Sequence, residues 1–121
     1  MDTCIFCKII AGETPCHKIY EDADFLAFLD IRPLSAGHAL VIPKIHHRFV
    51  WDVPNAGAYF EVAKKIALAQ KEAFNTDEVF SKIIGEEVPH AHIWVYQNPE
   101  RSQADPKDFK AHAEAIRQAL G

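Results

Sequence analysis

The sequence predicts an α+β chain of short strands and three helices, and three stretches carry that prediction. Residues 88–96, Val-Pro-His-Ala-His-Ile-Trp-Val-Tyr, alternate strictly, as a strand does when it points successive side chains to opposite faces. Residues 24–30, Asp-Phe-Leu-Ala-Phe-Leu-Asp, are apolar on both faces, which suits a central strand. From about Ala56 to Asn75, apolar residues recur near i, i+3, i+4 and i+7, the period of a helix with one buried face.

A chain of 121 residues is enough for one compact domain, expected to span 1–121. The formal charge of -4 argues against a nucleic-acid binder held by backbone electrostatics, and leaves open a small nucleotide held in a local pocket. No apolar run approaches the ~20 residues of a membrane span. The start, Met1-Asp2-Thr3-Cys4, lacks the basic residues of a secretion signal, and three cysteines fit a reducing compartment better than a disulfide framework. A cytoplasmic setting is expected, with neither nucleic acid nor membrane as partner.

The elements follow in order. A short helix is expected over Cys4–Ile10, capped by Asp2 or Thr3 and stopped at Gly12. Its Cys4 and Cys7 share a face, so both thiols can converge on one metal ion; a redox dithiol and a pair of small core side chains are the other readings. Strands are expected at 17–22 and 24–30. Asp30 then leaves the second strand ahead of Pro33, either as a turn former or as an acceptor for a ribose diol. Gly37 permits a tight entry into a strand over 38–43, and Lys44-Ile45-His46-His47-Arg48 forms a basic loop.

Asn55 is the expected cap of the long helix. Its core stripe is Tyr59, Val62, Ala63, Ile66, Ala69, Gln70 and Ala73, widened by Phe60, Ala67 and Phe74. A strand over 78–84 turns at Gly85 into the histidine stretch. Asp105 is the expected cap of the last helix, with Pro106 at its first position, a stripe of Phe109, Ala113, Ile116 and Leu120, and His112 facing solvent.

The chemistry concentrates on the alternating stretch. His90, His92, Trp94 and Tyr96 fall on one face, and Ala91, Ile93 and Val95 on the other, which suits packing against helices. Two adjacent imidazoles are read as hydrogen-bonded core residues, as metal ligands, or as a nucleophile with its helper.

Gly85-x-x-Val88-Pro89-His90-Ala91-His92-Ile93 resembles the histidine-triad (HIT) family, whose motif is His-φ-His-φ-His-φ-φ; Trp94 stands at the third position. Four further segments extend the resemblance over nearly the whole chain, among them Cys4-Ile-Phe-Cys-Lys-Ile-Ile-Ala-Gly-Glu13 and Ala27-Phe-Leu-Asp-Ile-Arg-Pro-Leu-Ser-Ala-Gly-His-Ala-Leu-Val-Ile-Pro-Lys-Ile-His46. The first is similar to the opening of the family's zinc-containing bacterial branch.

The resemblance implies a HIT-like fold: a five-stranded antiparallel sheet with one long helix, a short N-terminal helix and a C-terminal helix, in a subunit that pairs as a homodimer. It implies a nucleotide hydrolase acting at the α-phosphorus of a nucleoside 5′-phosphoramidate or dinucleoside polyphosphate, with a purine nucleotide or nucleotide conjugate as ligand. His92 is the implied nucleophile, forming a nucleotidyl-histidine, with His90, His38 and Trp94 completing the catalytic face. Asp30 is implied to hold the ribose and Ile31 and Phe28 the base, with Ile9 also nucleotide-binding. Cys4, Cys7, His46 and His90 are the implied ligands of one structural zinc per chain, a closed tetrahedral set.

Two departures stand out. The indole of Trp94 donates a hydrogen bond but shuttles no proton, so a nucleotide-binding protein with impaired catalysis is the alternative function. Where many members carry Asn-x-Gly and then Ala-Gly-Gln, this chain has Ile84-Gly85-Glu86-Glu87, which sets two carboxylates near the expected phosphate site.

Overall fold

The computed structural model describes residues 3–121. Three helices, α1 (Ile5–Ile10), α2 (Ala56–Phe74) and α3 (Phe109–Leu120), accompany five strands: β1 (Lys18–Glu21), β2 (Phe25–Leu29), β3 (Ala39–Pro43), β4 (Val79–Lys82) and β5 (Ile93–Gln97). One sheet runs β1-β2-β3-β5-β4 with every neighbouring pair antiparallel. No helix among the described residues is long and apolar enough to cross a membrane.

β2 and β3 lie inside the sheet and are buried along their whole length, as the apolar run over 24–30 requires. Their alternate side chains build two cores. Phe25, Ala27, Leu29, Val41, Ile93 and Val95 pack under α2 and α3 with Tyr59, Ile66 and Ile116. Leu26, Phe28, Leu40 and Ile42 pack on the opposite face with Cys4 and Phe6. The short helix α1 therefore covers the face on which Trp94 stands, and it leaves part of that face open.

Gly37 adopts φ +79, and a Cβ there would run into the Phe74 ring, so the tight entry into β3 demands glycine. Buried Gln70 on α2 donates from Nε2 to the carbonyls of Gly37 at 2.8 Å and Val95 at 2.9 Å, tying the helix to that entry.

Several expected boundaries move. The strand carrying the histidines begins at Ile93, so His90 and His92 lie in the irregular approach to it. The β3–β5 ladder pairs Val41 with Ile93, which brings Pro43 opposite Ala91. Pro43 has no N–H to donate, and the Ala91 N–H goes instead to the His47 carbonyl at 2.7 Å, so the ladder stops. The separation of faces survives: Ala91, Ile93 and Val95 enter the helix-side core while Trp94 joins the other.

Cys4, not Thr3, occupies the N-cap of α1, and its sulfur accepts the Cys7 N–H at 3.4 Å; the alternative cap, Asp2, lies outside the described residues. Asn55 stands at the N-cap of α2 but its side chain makes no capping bond. Phe60 is exposed rather than part of the buried stripe. α3 starts three residues later than expected, with Asp108 at its N-cap, because residues 105–108 close a turn through Asp108 N–H to the Asp105 carbonyl at 3.2 Å. His112 is buried, with Nε2 2.6 Å from the Asp105 carbonyl and its ring edge-on to Phe74.

Candidate functional site

Four side chains from distant parts of the sequence converge at the N-terminus of α1. Capping places Cys4 at the helix start, and Cys7 follows on the same face. His46 arrives from the loop after β3 and His90 from the approach to β5. Cys4 Sγ lies 3.3 Å from His90 Nδ1, and Cys7 Sγ lies 3.2 Å from His46 Nδ1 and 3.5 Å from His90 Nδ1. One ligand atom from each of the four falls within 4.8 Å of all the others. A tetrahedral zinc bound by sulfur at ~2.3 Å and nitrogen at ~2.0 Å holds such atoms ~3.5 Å apart, so the donor set fits the ion in type and spacing.

Protonation agrees with that fit. His90 Nε2 lies 2.9 Å from the Pro43 carbonyl, which only accepts, so Nε2 carries the proton and Nδ1 turns its lone pair to the cluster. Burial pushes the His90 pKa down to about 4, keeping the ring neutral as a ligand must be. Burial and the Cys4 thiol beside it push Cys7 up to about 11. Neighbouring thiols resist ionising together, and a cation between them reverses that.

His92 sits beside the cluster. Its Nδ1 lies 2.8 Å from the His90 carbonyl, so Nδ1 carries the proton and Nε2 is left with the lone pair. Phe6 sets its ring edge-on to both imidazoles, with centroids 5.8 Å from His90 and 5.3 Å from His92. His92 lines a cleft of about 340 Å³. Ile5 and Phe6 of α1 form one part of its lining, and Asp30, Ile31 and Arg32 another; Leu40, Glu87, Val88 and Trp94 complete it.

Asp30 is held in place. Oδ1 accepts the Arg32 N–H at 2.9 Å, and Oδ2 lies 3.6 Å from His38 Nε2. His38 is buried, and its Nδ1 accepts the Leu34 N–H at 3.0 Å, so its one proton sits on Nε2 and faces the carboxylate. Burial lowers the His38 pKa, against the opposing pull of Asp30. Trp94 turns its indole N–H into a buried position without a hydrogen-bond partner. Across the ladder from it, Lys82 sets its ammonium over the Trp94 ring at 5.8 Å and the Tyr96 ring at 6.0 Å.

The expected residues thus divide. Cys4, Cys7, His46 and His90 form the donor cluster, and Asp30, Ile31, His92 and Trp94 line the cleft. Phe28 lies behind the cleft wall, edge-on to Phe6 at 5.6 Å, and Ile9 packs in the same core. Ile5, Phe6, Arg32, Leu40 and Val88 line the cleft with no expectation attached to them. Position within the Cys-x-x-Cys helix is the signal for the first two: they ride on the element that the cluster anchors. Of the two carboxylates near the histidines, Glu87 reaches the cleft and Glu86 does not.

A family model for the HIT domain matches residues 11–98 of this chain. Protein hit of Bacillus subtilis is 38% identical over 120 residues, covering 93% of this chain and 83% of that protein. Adenosine 5′-monophosphoramidase of Saccharomyces cerevisiae is 42% identical over 93 residues, covering 74% of this chain and 59% of the yeast protein. Among solved structures, a Hit-like protein of Bartonella henselae superposes with a TM-score of 0.87 at 32% identity, covering 98% of both chains. A zinc-bound histidine triad family protein of Mycobacterium smegmatis gives 0.84 at 33% identity, covering 98% of this chain and 94% of that one.

Proposed function

The chain belongs to the HIT family, and from that premise we propose that it is a nucleotide hydrolase, cleaving at the α-phosphorus of a nucleoside 5′-phosphoramidate or dinucleoside polyphosphate. The yeast relative is named for the first of these activities. One observation carries the reading: the proton of His92 is committed to the His90 carbonyl at 2.8 Å, so the ring that lines the cleft keeps a lone pair on Nε2.

In the proposed reaction, His92 Nε2 forms a bond to the α-phosphorus as the bond to the leaving group breaks, and the departing group takes that electron pair together with a proton from solvent, which the water of the second step returns. Water then attacks the nucleotidyl-histidine, releases the nucleoside monophosphate and restores the neutral ring. One difficult displacement becomes two easier ones. Asp30 accepts the ribose hydroxyls, Ile31 lies against the base, and Phe28 and Ile9 support that wall from behind. Trp94 lines the cleft at the third triad position, with its indole N–H buried and unpartnered. His38 faces Asp30 from the buried side, its Nε2 3.6 Å from Oδ2.

Cys4, Cys7, His46 and His90 would hold one zinc per chain, and the ion supplies a cross-link between α1 and the sheet. Residues 1–121 are read as a single HIT domain of a cytoplasmic homodimer. The edge strand β4, with Phe80 exposed on it, supports the pairing of two copies.

The test is turnover of adenosine 5′-phosphoramidate, together with trapping of labelled nucleotide on His92. Both are expected in the wild-type chain and neither in His92→Asn. The unpartnered indole favours a second reading, nucleotide binding without turnover. Micromolar binding of AMP with no trapped nucleotide and no product selects it.

A further inference from the structure

The cleft beside His92 carries a charge pattern that the reaction above leaves unused. Its lining holds two carboxylates, Asp30 and Glu87, against one cation, Arg32. Asp30 is engaged by the Arg32 N–H and faces His38. Glu87 has no hydrogen-bond or ion-pair partner among the described residues. It follows Gly85, whose φ of +80 turns the chain toward the histidines, and it lines the cleft with Val88, His92 and Trp94. Lys82 lies over the Trp94 ring and outside the cleft lining.

The two carboxylates belong to different segments. Asp30 ends β2 with Ile31, the side read as holding the nucleoside. Glu87 belongs to the segment that carries His92, so the group beyond the α-phosphorus meets a free carboxylate and an indole. A polyphosphate tail brings several negative charges into a lining where two carboxylates outnumber the one cation, Arg32. An amine bearing a further positive charge finds there a carboxylate and an aromatic wall, the two features that recognise alkylammonium groups.

We propose that Glu87 determines the leaving group: the cleft takes nucleoside 5′-phosphoramidates of amines that carry an additional positive charge, and disfavours polyphosphate tails. This rests on the nucleotide reading of the same cleft.

Two stable probes test it, the 2-aminoethyl and the methyl esters of AMP, which differ by one ammonium group. Their affinities are measured by calorimetry at low salt, with ATP as the polyanionic comparison, in wild type and in Glu87→Gln. Glu87 is exposed, so the substitution leaves the core intact. Wild type is expected to bind the aminoethyl ester about three- to fivefold more tightly than the methyl ester, the size of one partly exposed ion pair. That ratio falls to near one in Glu87→Gln, and also in wild type at 0.5 M salt. Equal ratios in the two proteins, or ATP bound more tightly than either ester, overturn the role of Glu87 while leaving the nucleotide reading in place. Binding of none of the three probes overturns both.

Discussion

His92 donates its Nδ1 proton to the backbone carbonyl of His90 at 2.8 Å, and the side chain of that same His90 belongs to the Cys-Cys-His-His cluster. The ring of His90 is fixed from its other nitrogen by the Pro43 carbonyl at 2.9 Å. A residue held at both ring nitrogens has a fixed backbone, and that backbone sets the tautomer and direction of its neighbour two positions on. The cluster and the cleft are therefore mechanically one unit.

Loss of the proposed zinc site is the first consequence to test. Cys4→Ser, or treatment with a strong chelator, is expected to lower the melting temperature by about 5–10 °C, the equivalent of ~2 kcal/mol in a chain of this size. Turnover falls further than stability accounts for, by about ten- to a hundredfold at a temperature where the chain remains folded. Metal content by elemental analysis, melting by circular dichroism and kcat on the same samples check it. A Cys4→Ser chain that keeps a full equivalent of zinc contradicts the four-residue assignment.

Substitution at the proposed nucleophile separates chemistry from binding. His92→Asn keeps a donor for the His90 carbonyl but loses the nucleophilic nitrogen, so kcat is expected to fall by at least ~10³-fold. The dissociation constant for AMP is expected to change by less than about fivefold. Calorimetry and single-turnover kinetics supply the two numbers. A comparable fall in both marks a structural role for the ring.

In the proposed reaction Trp94 bears on leaving groups. An indole donates a hydrogen bond and cannot pass a proton, and general-acid help is worth ~10²–10⁴-fold when the leaving group is poor. Trp94→His is therefore expected to raise turnover of poor leaving groups by about tenfold or more and to leave good ones, such as a nitrophenolate, nearly unchanged. A series of AMP derivatives graded by leaving-group pKa reads this as a flatter dependence in the variant.

The sequence made the layers legible and some boundaries not. Strict alternation over 88–96 assigned Ala91, Ile93 and Val95 to the helix-side core correctly, although hydrogen bonding begins only at Ile93. Alternation reads which side a side chain faces; it does not see that the partner strand runs out of N–H groups at Pro43. The start of α3 is not legible in the sequence for a related reason. Asp105 and Pro106 are good helix-start residues and equally good turn residues, and here the turn wins. His112 lies three residues after Phe109 and so falls on the buried side of the stripe, a position the period itself contains. The donor cluster was legible because Cys-x-x-Cys fixes two ligands by helical spacing and the family pattern fixes the others. The entry of Glu87 into the cleft was not, because side-chain direction in an irregular segment follows no period.

Acid stability turns on the buried histidines, of which His38 is one outside the donor cluster. Burial holds its pKa below the ordinary value of 6.5, while in the unfolded chain the ring titrates normally. Below about pH 6.5 the unfolded state therefore binds a proton that the folded state does not, and stability falls as the pH drops from there toward the folded value. The contribution is complete above the unfolded pKa and contributes a slope of up to ~1.4 kcal/mol per pH unit below it. Glu21 has the same sign in a lower window: hydrogen bonds from Lys18 and Lys44 bring its pKa from 4.5 to about 2, so its share is lost only below pH 4.5. Urea midpoints at pH 7.5, 6.0 and 5.0 check the assignment. His38→Gln, which keeps an acceptor for the Leu34 N–H, is expected to be less stable than wild type at pH 7.5 and to lose less between pH 6.5 and 5. An unchanged slope in that variant assigns the acid sensitivity to other groups, His90 first among them, since burial takes it to about 4.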